Sequence, residues 1–142
     1  MGDAKTDALG KVPLFSHCTS KDLEFVASRA DEVNVPAGRE LVRQGRLGDT
    51  FYVLLEGEAE VEVDGKRRPT LKTGDFFGEI SMLDRGPATA TVVTTTPARL
   101  MVMSHSQFRD AIKGSDDLLR QVMVAVGERL RADSLARQAA ET

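Results

Sequence analysis

The densest chemistry in the sequence lies between Gly74 and Val93, in the run Gly-Asp-Phe-Phe-Gly-Glu-Ile-Ser-Met-Leu-Asp-Arg-Gly-Pro-Ala-Thr-Ala-Thr-Val-Val. Glu79 to Leu83 is long enough for one or two helical turns, and such a start leaves the amides of Glu79, Ile80 and Ser81 without intrahelical partners. Amides presented in this way attract an anion. Gly78 removes a side chain where a ligand would approach the backbone, and Glu79 offers an acceptor suited to a sugar hydroxyl beside a bound phosphate. Phosphate plus hydroxyl is the chemistry of a nucleotide. Gly-Glu before a short helix is also frequent in ordinary turns, and Phe76 and Phe77 serve equally well as core, so the segment alone leaves a purely structural role open.

Other reactive residues are sparse. His17 and His105 are far apart in the chain and lack the clustered carboxylates that a metal centre needs, so each reads as a surface or capping residue and no metal is expected. Ser16-His17-Cys18 places a nucleophile beside a base, but chain neighbours rarely point together and no carboxylate is evident to orient the pair. No catalysis and no cofactor are expected. Cys18 is the only cysteine, so no internal disulfide can form, and the count suits a reducing compartment. With 19 basic against 22 acidic residues, the chain has no positive field to drive binding to nucleic acid. No apolar run is long enough to span a bilayer and no secretory signal opens the chain, which points to a cytoplasmic protein with no membrane partner.

The site needs a scaffold, and the 142 residues, 41% hydrophobic, suffice for one core. Residues 1–11 are small, polar and charged and read as a flexible tail. Leu23, Val26, Ala27 and Ala30 recur at helical spacing behind Thr19 or Ser20 as cap, which predicts a helix opening the domain. From Asp31 to Ser104 the texture becomes short strand-like segments separated by Gly and Pro turns. Predicted strands are Glu32–Val35, Glu40–Arg43, Thr50–Leu55, Ala59–Val63, Arg68–Leu71, Ala90–Thr94 and Arg99–Ser104. Asp64-Gly65 is a hairpin turn signal, and Ala59, Val61 and Val63 alternate with Glu58, Glu60 and Glu62, giving one dry face and one wet. Ser104 with Gln107 resembles a capping box for a helix that buries Phe108, Ala111 and Ile112. Ser115 then caps a longer helix with Leu118, Val122, Val126 and Leu130 on one stripe.

Taken together, Val35-Pro36-Ala37-Gly38, Gly48 to Gly57 (Gly-Asp-Thr-Phe-Tyr-Val-Leu-Leu-Glu-Gly), Gly74 to Ile80 and Ala90-Thr91-Val92 resemble, in order and spacing, the cyclic-nucleotide-binding domain family over residues 12–135. The resemblance implies a mainly β fold, an eight-stranded antiparallel β-roll with an N-terminal helix and two C-terminal helices, the last acting as a lid. It implies a phosphate-binding cassette from Phe77 to Thr91. By the family pattern Gly78 and Glu79 meet the ribose, the amides of Ile80 and Ser81 meet the cyclic phosphate, and Val61 lines the base pocket. An apolar residue late in the last helix covers the base, and Leu130 is taken for it. Thr89 is placed to reach a purine edge, beside Ala90.

One position departs from the pattern. Family members that bind cyclic nucleotides carry an Arg before the small residue or Thr and then Ala, and here that position is Ala88, with Pro87 before it and Thr89-Ala90-Thr91 after it. Arg85, three residues earlier, is a candidate replacement, folded back by Gly86-Pro87.

Two functions follow as expectations. The first is a regulatory module that senses cAMP or cGMP, with the last helix swinging over the ligand. The second is a degenerate domain that has lost the ligand and acts through a protein partner. The last helix could also pair with a copy of itself as a homodimer. Only about a dozen residues follow the long helix, so no DNA-binding domain is expected in this chain, and residues 136–142 read as a frayed tail.

Overall fold

The computed structural model describes residues 4–16 and 18–141, and the side-chain surroundings of residues 6–16 and 18–132. Among the described residues eight strands form two antiparallel four-stranded sheets. The first sheet has the order β1 (Asp31–Val35), β8 (Ala98–Ser104), β3 (Thr50–Glu56), β6 (Phe76–Phe77). The second has the order β2 (Glu40–Val42), β7 (Thr91–Thr94), β4 (Ala59–Val63), β5 (Lys66–Leu71). This is the β-roll expected from the sequence, with helices at both ends. Asp64-Gly65 makes the hairpin between β4 and β5, both residues having positive φ (53° and 76°).

The first sheet is the middle layer, and its two central strands explain why. Side chains of a strand alternate between faces, so a strand covered on both sides must be apolar throughout. On β3, Phe51, Val53 and Leu55 enter a core shared with the helices, while Tyr52 and Leu54 enter a second core against the other sheet. On β8, Met101 and Met103 point to the helices, and Leu100 and Val102 to the other sheet. The sequence Phe51-Tyr52-Val53-Leu54-Leu55 is that pattern.

The helices begin where capping chemistry starts them. α2 (Ser20–Ser28) opens with Thr19 accepting from the Asp22 amide, and the Asp22 carboxylate accepts from the Thr19 amide in return. After β8 the same device at Ser104 and Gln107 starts α4 (His105–Lys113), which buries Phe108 and Ala111. Ser115 Oγ accepts from the Leu118 amide at 3.2 Å and opens α5 (Asp116–Glu141). Leu118 and Val122 are buried and Val126 packs beside them, but Leu130 is 54% exposed, so the stripe turns outward before it reaches that residue.

Two further elements differ from the sequence reading. Ala4–Gly10, read as part of a flexible tail, form α1, and Leu9 is fully buried. Val12, Leu14 and Phe15 follow it into the same core, the last two from a short 3-10 turn at Pro13–Phe15. Phe76–Phe77, read without a strand of their own, pair as β6 with Tyr52 and Val53. Residues 136–141, read as part of a frayed tail, are assigned to the end of α5, and Thr142 lies outside the described residues.

Burial of Leu9 carries a direct test. Leu9→Ala should lower unfolding stability by about 2–5 kcal/mol in denaturant titrations, the cost of a cavity in a packed core, whereas a loose tail would register almost no change.

Candidate functional site

The run from Gly78 to Arg85 folds as the chemistry of its residues dictates. Gly78 caps α3 (Glu79–Asp84) with φ of +90°, and a β-carbon there would lie 2.4 Å from the Thr50 carbonyl oxygen. Only glycine fits both the left-handed backbone and that approach. The contact presses the start of α3 onto β3 and directs the Glu79 side chain inward, where it is 2% exposed.

A buried carboxylate requires a cation, and α5 provides one. Arg129 Nη1 donates to Glu79 Oε1 at 2.5 Å, Nη2 donates to the Phe76 carbonyl, and the guanidinium lies 4.5 Å above the Phe76 ring. Glu79 Oε2 is buried and has no hydrogen-bond partner among the described residues. The carboxylate therefore holds the helix through one oxygen.

Around it lies a cavity of about 520 Å³, a size typical of small-molecule sites. The second sheet contributes Leu41, Val42, Val61, Val63, Leu71 and Val92, and β3 contributes Tyr52, whose ring stacks on Phe77 at 4.7 Å. Tyr52 donates to the Leu41 carbonyl at 3.2 Å, and burial pushes its phenol pKa up. One end of the cavity is polar, lined by Gly78, Glu79, Ile80 and Ser81 with Ala88, Thr89 and Ala90 facing them, while Arg129 and Ala132 of α5 lie above.

Nine of the eleven residues singled out in the sequence thus meet in one cavity: Val61, Phe77, Gly78, Glu79, Ile80, Ser81, Ala88, Thr89 and Ala90. Two do not. Arg85 ends α3 in a left-handed conformation (φ 57°), its amide bonded to the Ser81 carbonyl and its side chain exposed outside the cavity. Asp84 closes that turn by accepting from the Gly86 amide at 2.7 Å, so the bend turns Arg85 outward rather than back. Leu130 is likewise outside, because one residue along a helix is a rotation of about 100° and Arg129 already faces the cavity. Arg129 is the residue that sequence reasoning missed. The signal for it was the spacing, since Arg129 lies seven residues after Val122 and so on the same face.

Among the described residues no group of three or more His, Cys, Asp or Glu could hold a metal ion. His17 lies outside the described residues, and His105 begins α4. Cys18 is half-buried, and burial together with the Asp22 carboxylate raises its thiol pKa against a hydrogen bond with Ser115 that lowers it. No described helix is long and apolar enough to cross a membrane.

The family model for the cyclic nucleotide-binding domain matches residues 32–115. The chain belongs to that family. This cyclic nucleotide-binding domain is 31% identical over 115 residues to a cAMP-dependent protein kinase regulatory subunit of Emericella nidulans, a match covering 80% of this chain and 28% of the relative. It is 32% identical over 117 residues to a putative potassium channel protein of Rhodopseudomonas palustris, again with 80% and 28% coverage. The domain thus spans less than a third of the length of these relatives. Among solved structures, the catabolite activator protein of Thermus thermophilus superposes with a TM-score of 0.80 at 23% identity, covering 91% of this chain and 63% of that one. PKAR CBD2 bound to Sp-2Cl-cAMPS gives 0.78 at 23% identity, covering 91% and 88%. These likenesses are of fold.

The buried ion pair and the thiol generate two predictions. Arg129→Ala should destabilise the domain by about 3 kcal/mol in chemical unfolding, because it strands a buried carboxylate, and Arg129→Ala with Glu79→Gln should recover much of that loss. Cys18 should be alkylated by iodoacetamide at pH 7.5 more slowly than a free cysteine peptide, with the rate rising as pH is raised, since the thiolate is the nucleophile.

Proposed function

We propose that this domain is a non-catalytic cytoplasmic regulatory module whose cavity binds a cyclic purine mononucleotide, cAMP or cGMP. The observation that carries the reading is the Glu79 carboxylate, buried at the cavity wall with one oxygen unpartnered beside the first amides of α3. A ribose hydroxyl supplies the missing donor, and the amides of Ile80 and Ser81 face the phosphate. The apolar wall of Val61, Val63, Leu71 and Val92 suits a purine ring, with Thr89 at its polar edge. The names of the kinase regulatory subunits support a regulatory role.

Output follows from the same contact. Because Arg129 of α5 already holds Glu79, a ligand that engages this carboxylate changes the energy of docking the helix, and the helix position reports occupancy. Exposed Met123, Val124 and Leu130 give α5 an apolar face for a protein partner or a second copy of the chain. Ala88 is the feature that favours a degenerate, ligand-free domain. The open cavity of about 520 Å³, which the protein's own side chains do not fill, favours the binding module.

Calorimetric titration of refolded, ligand-free protein with cAMP and with cGMP tests the reading. Binding tighter than about 10 μM that Glu79→Ala abolishes is the expected outcome, and the stronger of the two nucleotides identifies the base. Absence of heat with either at millimolar concentration defeats it.

A further inference from the structure

The position that carries the phosphate cation in the family pattern is Ala88, and the structure shows what stands opposite it. Leu47 and Pro87 form an isolated antiparallel bridge. One step along, the Ala88 amide donates to the Arg46 carbonyl at 2.7 Å, and the Gly45 amide donates to the Ala88 carbonyl at 2.9 Å. Arg46 is therefore the cross-strand neighbour of Ala88, and such neighbours place their β-carbons about 5 Å apart on one face. Both residues line the cavity.

We propose that Arg46 supplies the cation for the ligand's phosphate, so that the charge missing from the cassette at residue 88 is delivered across the bridge from the β2–β3 turn. The proposal rests on the nucleotide reading above. Its support is the commitment of the neighbouring arginines. Arg43 is held by Glu40 at 2.5 Å and Arg129 by Glu79, while Arg68, which lines the cavity from β5, makes an interaction of its own. Among the described residues the Arg46 guanidinium has neither an ion pair nor a hydrogen bond, and its side chain is exposed at the cavity mouth.

The backbone that carries Arg46 is fixed relative to the cassette. The Arg46 amide donates to the Arg43 carbonyl at 3.2 Å, closing a turn in which Gly45 has φ of +87°. Gln44 anchors the turn through its amide to Thr91 Oγ1 at 3.0 Å and through two bonds of 2.8 Å with Asp64. Beyond the turn, Gly48 lies so close to Ser81 that a β-carbon would meet Ser81 Oγ at 2.3 Å. The segment that carries Arg46 is thus held against Ala88 at one point and, at Gly48, against Ser81 of α3 at another.

Titration calorimetry of the full chain with cAMP and with adenosine, which lacks the phosphate, at low and moderate salt tests the assignment. Arg46→Ala should weaken cAMP binding about 10- to 100-fold, the loss of one charge-assisted hydrogen bond. It should also flatten the salt dependence and leave adenosine binding unchanged. Arg85→Ala should bind as the wild type does, and Ala88→Arg added to Arg46→Ala should restore affinity for cAMP. Wild-type binding of cAMP that Arg46→Ala leaves intact overturns the role of Arg46 alone. Failure of the wild type to bind cAMP or cGMP overturns the nucleotide reading and this proposal with it.

Discussion

A carboxylate taken out of water must find a cation, and in this domain that requirement sits at Glu79. Isolated, a charge so deeply buried would be prohibitive; paired, it determines where its partner's element lies. The partner is Arg129, and the element is α5, whose first turns are already seated by Leu118 and Val122. Apolar packing sets the line of the helix, and the ion pair sets its rotation at the cavity. The same pair decides that a polar group rather than an apolar one faces the pocket from above.

What delivers Glu79 to that position is backbone against backbone. Gly78 abuts the Thr50 carbonyl, so the cassette rides on β3, the strand with both faces buried. β6 divides its two aromatic residues accordingly. Phe76 faces the helical core, 5.8 Å from Phe51 and beneath Arg129, while Phe77 faces the cavity and stacks on Tyr52. Two consecutive residues therefore tie the helical layer to the ligand layer, and a strand of two residues is enough because Gly78 ends it.

Most of the architecture was legible in the sequence because it is written in local chemistry. Period-two alternation marked β4, the all-apolar run marked β3, and the Ser104-Gln107 capping box and the Asp64-Gly65 turn marked element boundaries. The cassette stood out by its residue types, and the structure gathers most of them around one cavity. What escaped depends on non-local partners. Leu9 is the one large apolar side chain of α1, and nothing within that segment signals that α2 and the 3-10 turn will close over it. Phe76–Phe77 are too few to show a period. Leu130 was read as the end of the apolar stripe and Arg129 was not singled out, although it lies seven residues after Val122; its partner Glu79 stands 50 residues away in the chain. Arg85 lies outside the cavity lining because chain proximity said nothing of the left-handed turn that ends α3.

The burial of Leu9 redraws the edge of the folding unit. Composition would invite a cut at Pro13, where the polar start gives way to apolar residues. Such a fragment would keep every strand and the whole cavity and would still lack one wall of the helical core, losing Leu9 and Val12 and exposing Leu14, Phe15 and Val26 to water at the place where α1 lies. The smallest piece of this chain that carries its own complete interior begins upstream of Leu9, well before residue 32, where the family model begins to match.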